Sequence, residues 1–125
     1  MENPQRLAER IVEQSPDALI FADRDGIIRI WNARAQALFG YSAGEAAGKS
    51  LDLIIPEHLR AGHWRGYRAA IAAGRTRLAG TPMRTRATHK DGSKVYVDLA
   101  FAVVSDEARG VLGALATGRA SPSQP

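Results

Sequence analysis

The stretch Ala18-Leu19-Ile20-Phe21-Ala22-Asp23-Arg24-Asp25-Gly26-Ile27-Ile28-Arg29-Ile30-Trp31-Asn32 decides the fold. Its first five residues form an apolar run of the length expected for a buried strand. Asp23-Arg24-Asp25-Gly26 follows as a turn, with Gly26 supplying a positive φ at little steric cost. Ile27 to Trp31 reads as a second strand, so the unit is predicted to be a β-hairpin. Asn32 closes the stretch as a helix cap, because its short side chain can accept from the first helical turn.

Upstream, residues 2–14 read as a helix with Asn3 as cap and Pro4 in the first turn. Leu7, Ile11 and Val12 form its apolar stripe, and Ser15-Pro16-Asp17 breaks it. Downstream, Asn32 starts a helix with Ala35, Leu38 and Phe39 on its inner face and Gly40 as its stop. Ser42 and Glu45 have the spacing of a capping box and open another short helix, ended by Gly48. Ser50 to Ile55 is a further short turn or helix, closed by Pro56. Glu57 to Ala73 is a long helix with Leu59, His63, Gly66, Tyr67, Ala70 and Ile71 on one face, and Gly74 stops it.

The remainder reads as β. Thr76 to Ala87 is a strand interrupted by Gly80 and Pro82, which implies a bulge or an edge position. His89 to Ser93 is a hairpin turn. In Lys94 to Val104 the alternation places Val95, Val97, Leu99, Phe101 and Val103 on one face. Asp106 to Arg109 turns again, and Gly110 to Thr117 is the last strand. Strands at both ends with helices between them argue for an α+β fold, one antiparallel sheet covered by a helical segment. The predicted layout is an N-terminal flanking helix at 1–15, one domain at 16–119 and a frayed polar tail at 120–125.

At 125 residues, 45% hydrophobic and 24% charged, the chain has enough apolar material for one core and one domain. It has no cysteine, which removes disulfide scaffolds, thiolate metal sites and cysteine nucleophiles together. No apolar run approaches the ~20 residues of a membrane-spanning helix. The N-terminus lacks a secretory signal, so a cytoplasmic location is expected. Lys and Arg number 17 against 13 Asp and Glu, a net charge of +4. The densest basic stretch, Arg75 to Lys90, reads as a solvated strand face without interleaved aromatics, so no nucleic-acid partner is expected. No nucleophile elbow, phosphate-binding glycine loop or paired histidine spacing is present, so no enzymatic activity is expected.

The order of elements and their punctuation resemble a PAS domain over roughly Leu7 to Thr117. Ser15-Pro16-Asp17-Ala18 precedes the first strand, Asp25-Gly26 makes the first hairpin, and Trp31-Asn32 sits at the strand-to-helix step. Phe39-Gly40-Tyr41, Glu45, Gly48, Lys90-Asp91-Gly92, Gly110 and Gly113 continue the pattern. The resemblance implies a five-stranded antiparallel sheet of order 2-1-5-4-3 with helices on one face. It also implies a sensory or interaction role, with any ligand between the sheet and the longer helix. The same scaffold holds haem, flavin, other small molecules or nothing, so fold alone does not fix the function.

One local match is sharper. Pro56, Glu57, Arg60 and His63 stand at the spacing found at the start of the longer helix in haem-binding PAS oxygen sensors. In those proteins that histidine is the proximal iron ligand. The resemblance implies b-type haem bound through His63. Tyr67, Ile71, Leu78, Leu99 and Phe101 would line the pocket, and Arg68, Arg75 and Arg77 are candidates to pair with the propionates. Met83 stands where rhizobial oxygen-sensor kinases place a distal arginine. It is either a sixth iron ligand or a soft apolar lid. Without that arginine, oxygen, carbon monoxide, nitric oxide or redox state all remain open as the signal. Trp64 is expected to point off the apolar face, and His58 and His89 read as exposed helix-start and turn residues. The alternative reading is a haem-free interaction or dimerisation module with a small apolar ligand or a filled core. In either case a homodimer through the N-terminal helix or the sheet face is expected, with output to a separate signalling protein.

Overall fold

The computed structural model describes residues 3–77 and 80–122. The hairpin forms as its sequence predicts. Strand β1 (Ala18–Asp23) pairs antiparallel with β2 (Ile28–Trp31). Asp23 organises the turn: its carboxylate accepts from the Asp25 and Ile27 amides at 2.9 and 3.1 Å and from Arg29 Nε at 2.8 Å. Burial pulls its pKa up, but these donors outweigh burial and hold the carboxyl below its usual range.

Asn32 joins the hairpin to the helices. Its Oδ1 accepts from Leu19 N at 2.8 Å and Ala35 N at 3.0 Å. Its Nδ2 donates to Val12 O at 2.8 Å and Asp17 O at 3.0 Å. One buried amide thereby satisfies its full hydrogen-bonding capacity. It ties together β1, the N-terminal helix α1 (Pro4–Gln14) and α2 (Ala33–Phe39). Helix α1 is capped by Asn3, and α3 (Ala43–Ala46) by the reciprocal Ser42–Glu45 box. Helix α2 ends at Gly40, φ +88°, where the His89 ring fills the space a Cβ would need. His89 is therefore a packing residue as well as part of a turn.

The expected long helix from Glu57 begins as a 3₁₀ turn at Glu57–Leu59 and becomes helix α4 at Arg60–Ala73. Strands β3 (Met83–Thr88), β4 (Lys94–Asp106) and β5 (Gly110–Ala120) complete a five-stranded antiparallel sheet of order β2-β1-β5-β4-β3. The strand expected from Thr76 starts only at Met83, because Gly80 and Pro82 interrupt the ladder. Gly80 N still donates to Phe101 O at 3.2 Å, so Gly80 touches β4 without extending the ladder. The last strand is longer than expected and carries Ala120 opposite Val97.

The register places Trp31, Ile20, Ala116 and Phe101 in one row on the helix side of the sheet. Ile30, Phe21, Leu115 and Ala102 form a row on the other side. The core lies under α2 and α3, around Ile20, Ile28, Trp31, Phe39 and Val97. Trp31 meets Phe39 at 5.6 Å between ring centroids, and its Nε1 donates to Tyr41 O at 2.8 Å.

Candidate ligand site on helix α4

Helix α4 is pinned to the hairpin turn by two aromatic side chains. Trp64 Nε1 donates to Asp52 Oδ1 at 2.8 Å. Its indole lies over Gly26, where φ is +78° and an added Cβ would overlap the ring. Trp64 was expected off the apolar face; it packs instead against the turn, because a residue without a side chain leaves a seat for the indole. One turn on, the Tyr67 hydroxyl donates to Asp23 O at 2.6 Å and Ala22 O at 3.1 Å. Burial, reinforced by the Asp23 carboxylate, pushes its pKa up to about 12. Arg60 steadies the helix start by donating to Ile55 O at 3.0 Å and Asp52 O at 3.3 Å.

His63 sits between these anchors. Its ring lies 4.6 Å from Trp64 and 5.7 Å from Tyr67, centroid to centroid. His63 Nδ1 is buried and has no hydrogen-bond partner among the described residues. Desolvation lowers the His63 pKa from 6.5, and the Asp52 charge opposes it without cancelling it. The imidazole is therefore held neutral.

The other expected site residues divide. Ile71 is buried on α4, and Leu99 is buried on β4. Met83 is directly opposite Leu99 in the register, yet it is 44% exposed, and Phe101 is 37% exposed. The expectation was Phe101 in the pocket wall and Met83 as sixth ligand or apolar lid. The α4 anchors lie at the β1–β2 turn, so the outer strands keep part of their helix-side face open. Leu78 lies outside the described residues. Arg68, Arg75 and Arg77 are exposed and without side-chain partners among the described residues. A Cβ at Gly66 would meet nothing within 4 Å, so space is open beside it. His58 accepts from Arg86 Nη2 at 3.4 Å.

The sequence reading missed Asp52. It holds Trp64 from 12 residues away and sets the charge beside His63. No local pattern links residues at that separation across a proline and two turns. Among the described residues, no group of three or more His, Asp or Glu side chains is placed to hold a bare metal ion. His63 stands as a single nitrogen donor. That meets the need of a porphyrin-bound iron, whereas a bare ion needs several protein ligands.

Fold order, hairpin and capped helices agree with one further finding: the sequence pattern of the PAS fold family matches residues 6–120. The chain belongs to the PAS family. This PAS domain is 29% identical over 98 residues to the oxygen sensor protein DosP of Escherichia coli, a match covering 78% of the chain and 12% of that protein. It is 40% identical over 53 residues to the sensor protein FixL of Bradyrhizobium diazoefficiens, covering 42% of the chain and 10% of that protein. The chain thus spans about a tenth of the length of these curated relatives. The crystal structure of a PAS domain from Colwellia psychrerythraea superposes with a TM-score of 0.80 at 21% identity, covering 95% of this chain and 98% of that one. That likeness carries the fold. Among the described residues, no helix is long and apolar enough to cross a membrane.

Proposed function

We propose that this PAS domain is a sensor that holds b-type haem through His63 and responds to a diatomic gas or to redox state. The observation that carries the reading is the buried, unpartnered Nδ1 of His63. A buried polar atom left without a partner costs about 1–3 kcal/mol, so the ring is held without a protein hydrogen bond at Nδ1, and its other nitrogen, Nε2, is the one that would ligate iron. Burial also keeps the imidazole in the neutral form that ligates iron. The relatives support the same class, since one of them is named an oxygen sensor.

Bound haem supplies a redox-active iron with a further coordination position for a gas. The chain's own residues do the rest. Ile71 and Leu99 offer buried apolar wall that excludes water. Phe101 and Met83 border the open side, and Met83 would offer its thioether to the iron or act as an apolar lid. Arg68, Arg75 and Arg77 carry the positive charge that propionates require. Tyr67 stays protonated and holds the helix to β1. It positions His63 and moves no proton.

The role is signalling without catalysis, in the cytoplasm, through a separate signalling protein and without nucleic acid. The outward row Ile30, Phe21, Leu115 and Ala102, or the exposed Leu7 and Ile11 of α1, would pair two copies into a homodimer.

Titration of the purified chain with haemin tests the reading. A sharp Soret band saturating at one haem per chain, and lost in His63→Ala, is expected. A band that never saturates, or that survives the substitution, overturns it. A second reading rests on the ring contacts of His63 with Trp64 and Tyr67, which already house the imidazole in an aromatic cluster. In that reading the domain is a haem-free interaction module. It predicts no saturating band and an unchanged dimer in His63→Ala.

A further inference from the structure

A shallow, open-sided cavity of about 230 Å³ lies where the start of β1, the end of β5 and helix α2 meet. It is at the opposite end of β1 from the Asp23 carbonyl that holds Tyr67. Buried Ala18 and Gly118, with Ala37 and half-buried Leu38, give it an apolar floor. The exposed Arg34 and Arg119 form its rim. None of these residues takes part in the α4 site. The volume is below the roughly 300–1,000 Å³ of pockets for drug-sized ligands, so its occupant is small.

The charges at the rim specify the occupant further. Arg119 donates from Nε to Asp17 Oδ1 at 2.9 Å. Arg34 has no side-chain partner among the described residues. Two guanidiniums and one carboxylate leave one uncompensated positive charge. We propose that this cavity is a second ligand site and that it takes a small organic monocarboxylate. The carboxylate lies between the two guanidiniums, whose planar donors suit it, and the apolar part of the molecule covers the floor. A monoanion completes the charge balance. A bare inorganic anion would leave the apolar floor in water, and a neutral ligand would gain no charge-assisted hydrogen bond from the two guanidiniums.

The position gives the site a consequence. Asp17 and Arg119 are 102 residues apart and join the segment that enters the sheet to the strand that leaves it. The Asp17 carbonyl also accepts from Asn32, which holds the end of α1 through Val12 O. A carboxylate that draws on Arg119 competes with Asp17 at the junction of both flanking segments. Occupancy is thereby coupled to how α1 and the end of β5 are held.

The test is a titration of the ¹⁵N-labelled 125-residue chain with benzoate at low salt, with benzamide as the neutral analogue. Saturable amide shifts at Ala37, Leu38, Gly118 and Arg119 are expected with benzoate and none with benzamide. Arg34→Gln should weaken binding about tenfold. Ala37→Leu, which adds bulk on the solvent-facing side of α2, should abolish saturation while the spectrum stays folded. His63→Ala should bind as the parent does. The proposal is overturned by no saturation up to about 10 mM benzoate. Equal response to benzamide, unchanged binding by Arg34→Gln, or shifts centred on His63 and Phe101 would overturn it as well.

Discussion

The hairpin half and the β3–β4 half of the sheet both turn apolar side chains to the helix side, yet they end in different states. Over the hairpin, Ile28 and Phe39 are fully enclosed, and the buried Asn32 has all its polar capacity paired. On β3 and β4, Ala87, Val97 and Leu99 reach into the same core, but Phe101 and Met83 stay partly exposed. The difference lies in what covers each half. Helices α2 and α3 close over the hairpin, whereas α4 is pinned to the hairpin turn by Trp64 and Tyr67. One half holds the fold together. The other leaves part of its apolar surface in water.

The largest effect that would break this comparison belongs to Phe39. Phe39→Ala removes a fully buried ring that packs on Trp31, and it should cost about 3–5 kcal/mol in urea unfolding. A loss of under about 1 kcal/mol would mean that the hairpin half collapses around the gap and is no better packed than its neighbour. Next comes Asn32→Ala, which strands two backbone amides and two carbonyls at once. It should cost about 2–3 kcal/mol. Hydrogen exchange should show the end of α1 loosening first, since Asn32 holds it through Val12 O.

The same contrast explains what the sequence revealed. Elements governed by local chemistry were legible: the Asp25-Gly26 turn, the caps at Asn3, Asn32 and Ser42, and the helix stops at Gly40 and Gly74. Strand order was legible only through family resemblance, because pairing β1 with β5 joins residues about a hundred positions apart. At the site, helical periodicity put His63, Tyr67 and Ile71 on one face. It misplaced Trp64, whose seat is created by an absent side chain at Gly26 and an acceptor at Asp52. Alternation also placed Leu99 and Phe101 on one face of the sheet, and the register sets Met83 opposite Leu99. Their exposure depends on where α4 is anchored, and no periodicity encodes that.

Truncating the open side should be mild. Met83→Ala should change stability by under about 1 kcal/mol, because much of the side chain is already in water. Measured beside Phe39→Ala under one set of conditions, it calibrates the two halves directly. A loss as large as that of Phe39 would show the β3 edge closed in solution, and the contrast would fail.

The smallest effect is the pH dependence of His63, and it addresses the site itself. Folding lowers its pKa from 6.5, chiefly by desolvation and against the opposing charge of Asp52. Well above 6.5 the imidazole is neutral in both states and makes no pH-dependent difference. As the pH falls below about 6.5, the unfolded chain takes up a proton that the folded chain resists until its own lower pKa is passed. Stability therefore decreases as the pH falls through that window, and His63→Gln should remove this part of the slope. Asp52→Asn keeps an oxygen for Trp64 to donate to but removes the charge that favours the imidazolium. It should steepen the loss, which a merely structural role for Asp52 would not do. Equal slopes in the parent and His63→Gln would mean that the ring is hydrated in the folded state. The property that separates it from the enclosed hairpin, a neutral nitrogen held dry and unpartnered, would then be gone.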